Sequence, residues 1–261
     1  MLRIGALIYG VLSYALFLAV LVYAVGFVGG FATPTSLDAA PTRPLVEALA
    51  IDLGLLAVFA VQHSGMARPA FKRWWTRIVP ETVERSTYVL VSSLAMIALF
   101  AAWEPTGGVV WRTPEGWASI AVIGVYLAGW ALLIYATFLI DHFDLFGLKQ
   151  VWLPFVGRPY ERPRFRTPGF YKLVRHPLYL GWLVIFWAAP VMTAAHLAFA
   201  LATTVYVLFA ILLEERDLAR DFGADYAAYR HRTPMLIPGL PRPGSKLPYV
   251  EISRAAEQKQ A

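Results

Sequence analysis

Cysteine is missing from all 261 residues, which excludes disulfides, thiolate metal sites and a cysteine nucleophile. Charge is scarce too. Asp, Glu, Lys and Arg make up 15% of the chain against 58% hydrophobic residues, and mean hydropathy is +0.55. A soluble domain carries about a quarter charged residues, so one integral membrane unit fits this composition better than one or two soluble domains. The scarcity has a maximum: between Pro177 and Leu213 there is no Asp, Glu, Lys or Arg, and His196 is the sole imidazole. No internal repeat, low-complexity segment or compact nucleic-acid motif stands out, so the net charge of +6 points to lipid headgroups rather than to nucleic acid.

What is present is a series of apolar runs. Residues 4 to 31, 45 to 67, 87 to 103 and 117 to 140 each approach or exceed the roughly 17 to 25 residues that cross hydrocarbon. The first follows a single Arg3 and shows no small-residue cleavage pattern, so it reads as a retained span. Arg68, Lys72, Arg73 and Arg77 follow the second run, and Lys149, Arg158, Arg162, Arg164, Arg166, Lys172 and Arg175 follow the fourth, whereas the other loops hold little beyond Arg43 and Arg112. The excess of positive charge puts both rich loops and the N-terminus in the cytoplasm.

The run from Pro177 to Leu213 is interrupted near its middle by Pro190 and Thr193, which predicts two shorter helices that dip into the membrane and return. Such a hairpin brings its ends together. Arg175, His176 and Tyr179 at the entry then lie near Glu214, Glu215 and Arg216 at the exit, and ionisable groups at such a depth point to function. The fold expected is all-α: a polytopic membrane protein of about five transmembrane elements including this C-terminal hairpin. Residues 1–240 form one domain, and a tail over 241–261 is partly ordered at best.

Two groups of residues carry a resemblance. RHPLYLG from Arg175, the apolar hairpin, and then EERDLARDFGADYAAYRHRTPMLIP from Glu214 resemble the core of the isoprenylcysteine carboxyl methyltransferase and phospholipid methyltransferase superfamily, over about residues 165–238. VFAVQHSGMARPAFKRWWTRIVPETVERSTYVLVSSL from Val58 and FLIDHFDLFGLKQVWL from Phe138 resemble the bacterial methanethiol S-methyltransferases and the related NnrU-like membrane proteins. That resemblance implies methylation of methanethiol to dimethyl sulfide with S-adenosylmethionine, in a bacterial inner membrane, the cofactor site facing the cytoplasm. It also implies that His176, Tyr179, Leu180 and Gly181 line the cofactor, Gly181 by permitting close backbone approach. Glu214 and Glu215 would take its ribose or ammonium, Tyr229 would cover one side, and Arg175 or Arg230 would pair with its carboxylate.

The residues themselves supply the chemistry such a cofactor needs, since aromatics, acids and cations stand together at the hairpin mouth. Interface anchoring is the bland alternative for Lys172, Arg175 and Arg230, and Pro177 also suits the first turn of a helix. A simple alkyl thiol titrates above the ~8.5 of cysteine, so a proton acceptor is wanted as well. His63, beside Gln62 and Ser64, and His142, with Asp141 and Asp144, sit at the ends of two spans on the expected cofactor side, and an acid beside a histidine can orient it. Each histidine could equally be a hydrogen-bonded helix-end residue. His196 falls in the bend and reads as structural. Asp52 is either a packing partner or a substrate-side acid. His142 and Asp144, with no third ligand at standard spacing, do not make a metal site. Trp74, Trp75, Trp103, Trp111, Trp117 and Trp152 fall near span ends and read as interface belt residues. Phe186 and Trp187 line either the thiol pocket or the lipid and core.

Two other activities share these features: methylation of another lipophilic acceptor, a phospholipid amine or a prenylcysteine carboxylate, and a non-enzymatic NnrU-like role.

Overall fold

The protein is described by a computed structural model over residues 2–161 and 165–239; the tail over 241–261, Arg162 and Arg164 lie outside the described residues. The apolar runs become helices because in hydrocarbon each backbone N–H and C=O must be satisfied within its own segment. α1 (Leu2–Gly29) and α2 (Leu45–Ala67) are followed by the short α3 (Pro69–Trp75), which carries Lys72 and Arg73. α4 (Glu81–Ala102) starts ahead of the apolar run, with Pro80 at its N-cap and Glu81 and Glu84 in its first turn, where acids oppose the helix dipole. α5 (Trp117–Leu139) leads to α6 (His142–Leu145) and α7 (Leu148–Phe155). The C-terminal part consists of α8 (Pro177–Trp187) and α9 (Ala194–Arg232). Five of these, α1, α2, α4, α5 and α9, are long and apolar enough to cross a membrane, and side chains such as Val46, Val61 and Trp117 stand exposed on their outer faces. The chain is an integral membrane protein of all-α class.

The hairpin differs from the expected pair of short helices. α8 has 11 residues, about 16 Å at the helical rise, whereas α9 runs for 39 residues and bends at Gly223, whose φ of +50° suits glycine. The turn comes early because Pro190 ends the helical region and Val191–Thr193 forms a strand, β2, antiparallel to β1 (Val109–Arg112). α8 is therefore held mainly by α5, its most extensive partner. At this crossing a Cβ on Gly181 would stand 3.0 Å from Leu133 Cβ and 3.1 Å from the carbonyl oxygen of Gly129, and a Cβ on Gly129 would stand 3.2 Å from that of Gly181. Small residues allow such close helix approach in membranes. Gly181 thus serves the close crossing of α8 and α5.

The main core gathers at the end of the bundle that holds β1 and β2. Phe27, Leu99, Phe100, Tyr126, Trp130, Ile185, Phe186 and Phe199 pack there. Trp103 belongs to it, edge-on to Phe27 and Phe199, so this indole is a core residue and not part of an interface belt. Asp52 is buried and accepts the Glu104 backbone N–H at 2.9 Å, tying α2 to the end of α4 as a packing partner.

Candidate active site

The opposite end of the bundle holds the basic loops and most of the candidate site residues. Glu215 is its hub. One carboxylate oxygen takes Arg175 Nε at 2.7 Å, Arg175 Nη2 at 2.6 Å and His176 Nε2 at 3.2 Å, and the other lies 3.3 Å from Arg230 Nε. Arg175, His176 and Glu215 are all buried, and such a set is stable only when each charge is matched and hydrogen-bonded. Arg175 Nη1 donates to the carbonyls of Thr233 at 2.5 Å and Arg230 at 3.2 Å, while Nη2, close to the carboxylate, has no hydrogen-bond partner. The backbone N–H groups of Arg175 and His176 donate to the carbonyls of Pro234 and Met235. Arg175 thus fastens the end of α9, and the two adjacent acids are separated in role: Glu215 is matched by the protein's own cations, whereas Glu214 is partly exposed. Arg230, with 42% of its side chain exposed, is the better placed of the two arginines for an external carboxylate.

Tyr229 donates to the Tyr171 carbonyl at 2.6 Å and meets Phe165 and Tyr226 edge-on. It is buried, and so is Tyr226, whose hydroxyl has no hydrogen-bond partner. Leu180 packs with Tyr179, Leu183 and Met235 against Val207, Ile211 and Leu236, an apolar wall beside the charged hub. The kink at Gly223 precedes Tyr226, Tyr229 and Arg230.

His63 stands on α2 between α4 and α9. Its Nε2 meets the Tyr88 hydroxyl at 2.8 Å and its Nδ1 meets Ser92 Oγ at 3.1 Å, with Phe59 stacked on the ring at 5.1 Å. The neighbouring Ser64 bonds the Tyr206 hydroxyl on α9 at 3.0 Å, and Arg68 pairs with Asp217 at 3.1 Å. Val207, the residue after Tyr206, packs in the cluster that Tyr179 joins. α9 therefore links the hairpin mouth to the surroundings of His63. Tyr88, Ser92 and Tyr206 were not singled out from sequence. The signal available was the i, i+4 spacing of Tyr88 and Ser92 along an apolar helix and the isolated hydroxyls between Pro177 and Leu213.

His142 is held differently. Tyr14 from α1 meets Nε2 at 2.7 Å and Thr137 from α5 meets Nδ1 at 2.8 Å, while Phe138 stacks on the ring at 4.3 Å. Burial lowers its basicity below the ordinary imidazole value. Asp144 does not reach the ring. Its carboxylate takes Gln150 Nε2 at 3.3 Å, and burial raises its pKa. Asp141, at a φ of +88°, caps α6 and pairs with Lys149 at 2.5 Å. His63 and His142 share no partner among the described residues. His196 sits at the far end, between Asp38 at 2.8 Å and the Phe186 carbonyl at 3.1 Å. Among the described residues no group of three or more His, Cys, Asp or Glu stands together as a metal site would require.

Comparison with known proteins agrees with the C-terminal motif and extends beyond it. Residues 71–233 match a family described as a protein of unknown function, DUF1295. A methanethiol S-methyltransferase of Crocosphaera subtropica is 51% identical over 90% of this chain and 92% of its own length. One of Mycobacterium tuberculosis is 46% identical over 90% of this chain and 97% of its own length. Nurim of Rattus norvegicus is 33% identical over 70% of this chain and 72% of its own length. Identity of that extent shows that the chain belongs to the methanethiol S-methyltransferase family.

Proposed function

We propose that this protein transfers a methyl group from S-adenosylmethionine to methanethiol, giving dimethyl sulfide and S-adenosylhomocysteine, at the end of the bundle that carries the basic loops. The observation that supports this reading best is that α9 joins the two regions: Tyr206 bonds Ser64, the neighbour of His63, and the next residue, Val207, packs in the cluster that Tyr179 and Leu180 join at the hairpin mouth. A cofactor region and a proton-accepting region are then neighbours.

The residues suit such a cofactor. Glu214 matches its ammonium or ribose hydroxyls, Arg230 its carboxylate, and Leu180, Val207, Ile211 and Leu236 with the tyrosines its adenine. Arg175, His176, Glu215 and Tyr229 hold these groups in place. When bound, the cofactor supplies an electrophilic methyl on a sulfonium. His63 takes the thiol proton by way of the hydroxyls bonded to its ring nitrogens. Its aromatic and aliphatic surroundings strip water from the sulfur, which favours a reaction in which opposite charges cancel. His142, bonded to two hydroxyls and stacked on Phe138, joins α1, α5 and α6, and Asp144 with Gln150 supports the same corner. The excess of Lys and Arg in the loops at this end supports a cytoplasmic orientation of this face, in a bacterial inner membrane.

The test is incubation of the purified protein with S-adenosylmethionine and, separately, methanethiol, a phosphatidylethanolamine and a prenylcysteine. The expected result is dimethyl sulfide in the headspace and no methylation of the other two. Methylation of the amine or carboxylate instead would overturn the choice of substrate, and no transfer to any acceptor would favour the non-enzymatic role.

A further inference from the structure

A straight helix from Glu215 to Arg230 would span about 22 Å, yet Arg230 Nε lies 3.3 Å from the Glu215 carboxylate. α9 therefore doubles back at Gly223, the non-helical residue between them. The arm beyond Gly223 carries Tyr226 and Arg230 at the i, i+4 spacing that sets two side chains on one helix face. Tyr226 is 1% exposed, and its ring lies 6.1 Å from that of Tyr229, whose hydroxyl reaches the Val174 carbonyl beside Arg175. The charges that act on the Tyr226 hydroxyl are those of Glu215, Arg175, Glu214 and Arg230. Tyr226 thus belongs to the same hub.

Three donors at this hub have no hydrogen-bond partner: the Tyr226 hydroxyl, Arg230 Nε and Arg175 Nη2. Buried donors are costly to leave unpaired. Two guanidiniums also share the single carboxylate of Glu215, and Glu214, the next residue back, projects about 100° round the helix from it. What the set lacks is a second anion. We infer that Tyr226 and Arg230 together hold the carboxylate at the amino-acid end of the cofactor, the tyrosine hydroxyl donating to one oxygen and the guanidinium to the other. The inference rests on the methyl-transfer reading above. It explains why a hydroxyl is kept on a ring packed against Phe165 and Tyr229, and it makes Tyr226 a residue that selects ligands bearing that carboxylate.

The test uses the full chain in lipid nanodiscs and the variant Tyr226→Phe, which removes the hydroxyl and leaves the ring. Affinity for S-adenosylhomocysteine, measured by calorimetric titration, should fall about tenfold or more, the effect of one lost hydrogen bond to a charged group. Affinity for decarboxylated S-adenosylhomocysteine, measured by competition, should change by less than about twofold. The ligand-free variant should melt at or above the parental temperature, because the hydroxyl has no partner in the protein to lose. Parental affinity for S-adenosylhomocysteine overturns the inference, and so does an equal loss for both ligands. A lower melting temperature of the ligand-free variant overturns it as well, since the hydroxyl would then be bonded within the protein. If the parent makes no dimethyl sulfide, the reaction assignment fails and not merely the role of Tyr226.

Discussion

At the end of the bundle that holds β1 and β2, His196 is closed in by Asp38, the Phe186 carbonyl and a dense aromatic core. At the opposite end, His63 and His176 also touch hydroxyls or a carboxylate, but the surrounding groups include a partly exposed Arg230. Orphaned buried atoms occur at both ends, on Asp52, Trp103 and Trp130 at the first as on Gln62 and Tyr226 at the second; what sets the second apart is the buried ionic hub of Arg175, His176 and Glu215 beside a half-buried Glu214. In a membrane protein, where an unmatched polar group is costly, closed networks hold helices together and a hub with an exposed edge leaves room for a ligand. His63 and His142 each have both ring nitrogens bonded to hydroxyls; His63 differs by its position next to α9 through the Ser64 and Tyr206 bond.

The largest expected effect comes from breaking the hub. Glu215→Ala leaves Arg175 buried and unmatched, a loss of about 3–5 kcal/mol, and calorimetric titration should find no binding of S-adenosylhomocysteine while the melting temperature falls steeply. Parental affinity in that variant would remove the hub from the account of the site. His63→Ala should come next in consequence but leave the fold alone: turnover falls about 10² to 10⁴-fold with S-adenosylhomocysteine affinity retained. The deficit should shrink as pH rises and solution supplies thiolate. Near-parental turnover at neutral pH would return His63 to a structural role.

The same substitution at the far end should give the reverse pattern. His196→Ala removes the bonds to Asp38 and Phe186 and should cost about 1–3 kcal/mol of stability, seen as a lower melting temperature in detergent, with kcat/KM unchanged below that temperature. If His196→Ala abolished transfer while the fold stayed intact, the division between the two ends would collapse. The smallest effect concerns pH. His142 has a folded pKa lowered by burial from the ordinary 6.5, so its contribution to stability is complete above 6.5 and is lost as pH falls toward the folded value. The melting temperature should decline below pH 6.5 in the parent and less so in His142→Gln, which melts across a pH series would show.

The spanning helices were legible in the sequence because hydrocarbon imposes length and apolarity on them, and α1, α2, α4 and α5 follow their runs closely at most ends. The bend was not, because the pairing of Val109–Arg112 with Val191–Thr193 joins segments far apart in the chain. Trp103 was misplaced for a related reason: position near a span end does not say which way a side chain faces, and this one turns toward Phe27 and Phe199. At the site, the convergence of Arg175, His176 and Glu215 could be read from the hairpin mouth. The separate roles of Glu214 and Glu215 could not, since they depend on which face of α9 meets Arg175. Nor could Gly181 be assigned to the α5 crossing, where its partner Gly129 lies in a distant run.

The central claim is most directly tested with S-adenosylmethionine carrying a trideuterated methyl group, supplied with methanethiol to the purified protein in nanodiscs, and mass spectrometry of the headspace. The account predicts dimethyl sulfide bearing one trideuteromethyl and one ordinary methyl group, formed by the parent and by His196→Ala and strongly reduced in His63→Ala. Unlabelled dimethyl sulfide, or none from the parent, would contradict it.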